Sequence, residues 1–447
     1  MHSLPPTARH RPVFRNAQTG WLLLFLAAWT STAPAQIDID QPPINYLSGQ
    51  PNDPVVRLQA QLNAGEVELK HDQRLGYLPA VLSALHVPAT SQALVFSKTS
   101  FQLRRISPRT PRAIYFNDEV YVGWVRGSGV MELSTVDPEL GANFYTLVKD
   151  ESGQPQFQRK TYQCLQCHGS SMTNDVPGHV VRSVYSGKDG QPILGWGTYL
   201  TTQQSPLEQR WGGWYVTGTH GDQYHLGNLT VSHSGDPRKA DLTPGANVTD
   251  LSVYFRTAGY LTSHSDIVAL MVLEHQTTMQ NLLTRANFLT RVALRDKTVM
   301  DRVLERPKGF QSDSTKRRIQ KAAEPLVKYM LFAGEARLTD PIVGSTEFAG
   351  EFADRGPRDD QGRSLRELDL QERLFKYPCS YLIYSELFKQ LPRPVKDQVH
   401  ERLWEVLTGK DTSEDFEHLS TTLRREILEI LLATKTDLPD YWKGRDE

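Results

Sequence analysis

The sequence predicts an α+β protein in which a β-rich domain, residues 36–262, precedes a mainly α-helical domain, residues 263–447. Three observations carry this expectation. Residues 113–148 hold short runs rich in aromatic and β-branched residues separated by turn residues, the pattern of paired strands. Residues 173–235 are rich in Gly, Trp, Tyr and His, a composition of turns and short strands. From Ser263 onward, apolar residues recur at three- and four-residue spacing instead.

Taken in order, residues 55–63 and 79–86 read as short helices, with Pro79 at a first helical position where a missing N–H costs nothing. Residues 93–97 read as a strand. Residues 113–116 and 120–125 form a hairpin across Asn117-Asp118, and residues 130–136 and 143–148 pair across the Asp137–Gly141 turn. Residues 193–200 and 211–220 read as further strands, the second with glycines where backbone must approach something closely. Ser265 or Asp266 caps a long helix carrying Ile267, Leu270, Met271, Met279, Leu282, Leu283, Leu289 and Val292. Residues 315–332, 365–375, 381–391, 395–407 and 419–433 read as helices, and 345–362 as a polar loop.

The chemistry is concentrated at Cys164-Leu165-Gln166-Cys167-His168. Two thiols separated by two residues and followed at once by an imidazole is the attachment pattern of a c-type haem. The sulfurs add to the two vinyl groups of the porphyrin, and the next residue then lies beneath the iron as proximal axial ligand. One covalently bound haem c per chain is expected, held by Cys164 and Cys167 and ligated by His168. Other uses of the pattern fit less well. A redox-active CxxC has no need of the histidine. Structural zinc wants four ligands, commonly from a second paired motif, and no second CxxC exists in the chain. A disulfide across two intervening residues would be strained.

The setting agrees with haem attachment outside the cytoplasm. Residues 1–35 read as a signal peptide: Arg9, Arg11 and Arg15 without an acidic residue, an apolar run from Trp21 to Trp29, and Ala33-Pro34-Ala35 as cleavage site. A periplasmic or otherwise exported protein is expected. The apolar run is short of the roughly 20 residues a bilayer requires, and none of that length follows, so no membrane span is expected in the mature chain. A net charge of −1 over 447 residues argues against a nucleic-acid partner. With two of three cysteines used by haem, Cys379 is left as a buried, inert thiol. His179, His220, His225 and His233 cluster in the Gly- and Trp-rich stretch, and Met271, His275 and Met279 share a helix face. Most such groups serve packing; the four histidines, His275 and Met271 are the candidates for the distal axial position, His225 and His275 foremost, with a second metal site as an alternative use of the four histidines.

The CxxCH segment resembles the attachment site of bacterial c-type cytochromes. Residues 111–145, 210–228 and 265–276 resemble a family of uncharacterised exported bacterial proteins described as cytochrome c domain-containing. That resemblance implies thioether roles for Cys164 and Cys167 and a proximal role for His168, without a substrate. The chain departs from small class I cytochromes: its motif follows strands, and Met172 lies too close to it to reach the other haem face. The order of strands before CxxCH is similar to that of cytochrome P460 and the β-type cytochrome c′. The expected function is electron transfer with a redox partner protein. The alternatives are a haem oxidoreductase or peroxidase with an open distal site, and a haem-based small-molecule sensor.

Overall fold

A computed structural model describes residues 37–149, 153–232, 234–236 and 239–444. The expected signal peptide and His233 therefore lie outside the described residues. The fold is mixed α and β, with a mainly helical C-terminal region.

Its frame is a seven-stranded antiparallel sheet in the order β6-β5-β4-β3-β2-β1-β9. The strands are β1 (Ala93–Val95), β2 (Arg112–Phe116), β3 (Val120–Val125), β4 (Met131–Asp137), β5 (Gly141–Lys149), β6 (Pro155–Lys160) and β9 (Trp214–Tyr215). Four strands joined by short turns pair in the hairpin registers that their alternation demands, with Phe116 opposite Tyr121 and Ser134 opposite Phe144. One face packs Tyr115, Val122, Trp124, Leu133, Tyr145 and Leu147 against α1 (Pro54–Asn63) and α2 (Leu78–Ala84). Helix α1 is fastened at its start: Asp53 accepts from the amides of Val55 and Val56 and from the Tyr145 hydroxyl at 2.6 Å.

The other face meets the long helix α4 (Ile267–Val303), capped by Asp266 as the sequence suggested. The second carboxylate oxygen of Asp266 accepts from the amides of Ser345 and Thr346, tying a distant loop to the helix start. Helices α5 (Asp313–Met330), α8 (Arg393–Leu407) and α9 (Thr421–Thr434) complete the helical region. Residues 37–447 form one compact unit, and one core contains Phe116, Tyr121 and Trp211 together with Leu270, Phe332 and Leu403. The change of character at residue 263 is thus a change of secondary structure within a shared core. Among the described residues no helix is long and apolar enough to cross a membrane.

Some local expectations differ from the structure. The 345–362 stretch contains a helix, α6 (Phe348–Asp354), because Phe348 and Phe352 are buried in the core and hold it there. Residues 365–375 form turns: Asp369 accepts from the amides of Gln371 and Glu372, a local bond that competes with helix, and Leu370 takes φ +58°. Only residues 198–200 of the 193–200 segment are extended (β8, Thr198–Leu200), after a short 3₁₀ turn at Leu194–Trp196. Trp214–Tyr215 and Gly218–Thr219 (β10) are separate short strands, divided around Gly218 at φ +140°.

A buried ion pair marks how tightly α4 is committed. Arg210 donates to Glu274 at 2.9 Å, with side chains 4% and 0% exposed. Burial pushes the Glu274 carboxyl up to about 7 despite Arg210. Replacing Arg210 with Met leaves a buried carboxyl without its partner and is expected to cost about 3–5 kcal/mol in urea unfolding. The raised carboxyl binds its proton more tightly folded than unfolded. Stability contributed by Glu274 is therefore complete below the ordinary carboxylate range and falls as pH rises through 7. Glu274→Gln is expected to flatten that decline in melts between pH 4.5 and 7.5.

Candidate functional site

Helix α3 (Tyr162–His168) places the motif on a single turn and a half. Positions 164, 167 and 168 are three and four residues apart, so the two thiols and the imidazole project from one side of the helix. Leu165 lies on the other side and packs toward a small core of Ile44, Tyr46, Leu140, Val176 and Phe288. Leu165 holds the helix, while Cys167 faces solvent and His168 turns in against Phe144. Cys164 is half-buried and Cys167 exposed, both as free thiols.

The orientation of His168 is set by its main chain and by Gly178. The Gly178 amide donates to the His168 carbonyl at 2.8 Å, and His168 Nδ1 bonds the Gly178 carbonyl at 2.9 Å. A carbonyl oxygen only accepts, so the ring proton sits on Nδ1. Burial holds the imidazole below its ordinary pKa, which keeps it neutral at pH 7. Nε2 then carries a free lone pair, the state a metal-ligating histidine requires. The Phe144 ring, from β5, stands 4.8 Å from the imidazole centroid.

The sheet face beneath this helix carries polar atoms without partners. Arg112 pairs with Glu132 at 2.5 Å, yet Arg112 Nε, Glu132 Oε1 and Thr146 Oγ1 are buried and unbonded. Gly123 makes room for the pair, since a Cβ there would lie 2.3 Å from the Arg112 guanidinium. The charges of Arg112 and Glu132 act on both Cys164 and His168, so the pair belongs to the same neighbourhood. Unbonded buried polar atoms beside a CxxCH motif fit a group that carries carboxylates and rests on the helix. By this test the residues present suit a covalent porphyrin: Cys164 and Cys167 for its vinyls, His168 Nε2 for its metal, and Arg112 for an acid side chain.

The competing uses of the thiols find less support. Burial pushes the Cys164 thiol up to about 11, where a redox-active CxxC needs a thiolate near neutral pH. Among the described residues no three His, Cys, Asp or Glu side chains gather as a metal cage. Cys379 is fully buried and its thiol is pushed up to about 12.

The other histidines sit elsewhere. His275 is fully buried, with Nδ1 2.5 Å from Gln203 Oε1, Nε2 2.8 Å from Ser380 Oγ, and Phe332 stacked on its ring at 4.6 Å. Both nitrogens are taken, so its imidazole has no lone pair to offer an iron. His225 packs between Trp211 and His220, 5.3 and 4.8 Å away, and neither it nor His275 is brought against the motif. His220 accepts the Asn247 amide at Nε2, which places its own proton on Nδ1 and makes it a structural group. Met271 and Met279 are buried in the helical core. His179, one of the four histidines the sequence singled out but not its foremost candidate, lies tilted against Tyr121 at 4.2 Å and near Phe144, bonds Ser134 through Nε2 and leaves Nδ1 buried without a partner. Its place beside His168 follows from the contact of His168 with Gly178, ten positions past the motif, and helical or strand periodicity gives no sign of it.

In protein produced without haem maturation, the Cys164 assignment predicts slow alkylation. Iodoacetamide labelling followed by mass spectrometry is expected to show the Cys164 rate climbing about tenfold per pH unit from pH 8 to 10. A rate that levels off near pH 7 would mark a thiolate of the redox type.

Compared with family models, with curated proteins and with solved structures, the chain matches none of them.

Proposed function

We propose that this chain is an exported monohaem c-type protein that exchanges electrons with a redox partner protein, with Cys164 and Cys167 as the thioether positions and His168 as proximal ligand. The observation that carries the reading is the His168 tautomer: Nδ1 donates to the Gly178 carbonyl and Nε2 is left free on the helix side that bears both thiols. A bound iron porphyrin supplies a reversible one-electron couple.

The chain's own residues define what that couple would experience. The Gly178 carbonyl fixes the plane of the imidazole and, by drawing on the Nδ1 proton, raises the basicity of Nε2. Phe144 covers the ring of His168 and excludes water from that side. Arg112 offers a positive charge to a carboxylate, and Glu132 balances it when none is bound. Cys167 is exposed, so the edge carried by that side of α3 is open to a partner's surface, as short-range electron exchange requires.

A second reading is favoured by His275. Because both of its nitrogens are engaged in the core, this sequence candidate for the distal position is withdrawn from the iron. An iron left with an open sixth position would bind a small molecule, which makes a haem oxidoreductase or peroxidase, or a sensor, the alternative.

Three measurements test these readings. Protein from a haem-maturing host is expected to keep its pigment through denaturation, and Cys164→Ala combined with Cys167→Ala to lose it. Pigment surviving in that double variant would overturn the thioether assignment. His168→Ala is expected to retain covalent pigment while its absorption spectrum and spin state change. A reduced form whose spectrum ignores carbon monoxide supports the carrier, and one that shifts on adding it supports the open site.

A further inference from the structure

We propose that Asn281, on α4, is the positioning residue for the proximal imidazole, an inference that rests on the haem reading above. The path is short and every link is a hydrogen bond. Asn281 Nδ2 donates to the His179 carbonyl at 2.7 Å, and Asn281 Oδ1 accepts the His179 amide at 2.9 Å. Both main-chain groups of residue 179 are therefore held by one side-chain amide, the pairing a neighbouring strand would supply. The preceding residue, Gly178, offers both of its own main-chain groups to His168: its amide to the His168 carbonyl, and its carbonyl to Nδ1. A peptide gripped by α4 on one side thus grips the imidazole on the other.

The amino acids at the joint are what this arrangement needs. A Cβ on residue 178 would lie 2.2 Å from Asn281 Oδ1 and 3.1 Å from the Thr173 side chain, so glycine is required for the amide to come this close. Asn281 is buried, 3% exposed, and so is its target. Asparagine fits because one planar group supplies a donor and an acceptor side by side; aspartate lacks the donor, and leucine of similar size lacks both. Asn281 does not touch the motif. It acts through the 178–179 peptide, and what it controls is the direction and strength of the Nδ1–H bond to the Gly178 carbonyl.

That bond has a consequence that a purely structural contact lacks. A strong Nδ1–H bond gives the imidazole anionic character, which favours the ferric over the ferrous state. Releasing the 178–179 peptide weakens the bond and raises the reduction potential. Each tenfold loss of ferric preference corresponds to about 59 mV for one electron.

The experiment compares the matured wild type with Asn281→Ala, Gly178→Ala, the double variant, and Asn287→Ala as control. Asn287 lies on the same helix and donates to the Pro138 carbonyl at 3.0 Å, so it removes a like bond away from the site. Potentiometric titration is expected to show a higher potential in Asn281→Ala and none of that change in Asn287→Ala. Gly178→Ala should also shift the potential. Once Asn281 is trimmed the added methyl has space, so the double variant should shift no further than Asn281→Ala alone. In haem-free protein, hydrogen exchange at the His179 amide should accelerate at least tenfold in Asn281→Ala but not in the control. A pigmented Asn281→Ala with the wild-type potential, or one matched by Asn287→Ala, overturns the inference and leaves the haem reading standing. A wild type without covalent pigment ends that reading and this inference with it.

Discussion

The structure depends on a row of polar side chains on α4 that bond the carbonyl groups of the loops around it. Gln276 donates to Asn117 O and Gln280 to Asp118 O, both in the turn between β2 and β3. Asn287 donates to Pro138 O and Arg291 to Glu139 O, both in the turn between β4 and β5. Arg291 and Arg295 then reach Pro43 O and Pro42 O. Positions 276, 280, 287, 291 and 295 fall on one side of a helix of 3.6 residues per turn, so a single stripe serves all these loops. A fully buried loop carbonyl left without a donor costs about 1–3 kcal/mol and a part-buried one less, so the bonds to Asn117, Asp118, Pro138 and Pro43 help these turns pack against the helix.

That condition also explains where the candidate site can lie. The sheet's other face is closed by α1, α2 and a mostly apolar core, with the Tyr115 and Tyr145 hydroxyls paired to Gln92 and Asp53. The face toward α4 mixes Tyr121, Ser134 and Phe144 with Arg112 and Glu132, and α4 meets it through amides. Tyr121 shows the style of contact: its hydroxyl donates to Gln280 Oε1 and accepts from Gln276 Nε2, while its ring lies tilted against His179. A polar, partly open face of this kind can receive a group with both apolar and acidic parts, whereas the α1 face has no room for one.

The hairpins and the start of α4 were legible in the sequence because they rest on local signals: aromatic and β-branched runs, a turn dipeptide, an N-cap aspartate. The motif was legible because the spacing of its two thiols and imidazole is a short local pattern, the one that the proposed haem attachment requires. What surrounds the motif was not. The apolar residues of α4 follow helical spacing and were read as its core side, but Asn281, Gln276 and Gln280 lie between them and carry no periodic signature of burial. Their role depends on which loop comes alongside. His275 failed as a distal candidate for a related reason. Sharing a helix face with Met271 and Met279 says that it is buried, and cannot say that Gln203 and Ser380, some 70 and 100 positions away, occupy its nitrogens. The turns at 365–375 were misread because Asp369 bonds its own neighbours, an option that composition does not reveal.

The motif helix itself cannot be the source of the site's geometry. Helices shorter than about 12 residues are marginal in water, and α3 has seven, with no side-chain cap at its start. Its pose comes from tertiary contacts: Leu165 in its small core, the His168 carbonyl on the Gly178 amide, and Gly178 against Asn281. An imidazole fixed in this way takes its orientation from α4, which is clamped to the sheet at both turns and buried at Glu274 and His275. Thioethers would add a second attachment on the same side of the helix, so that sulfur and nitrogen ligation share one rigid support. Under the proposed reading, that shared support is what lets an iron change charge without the protein around it having to move.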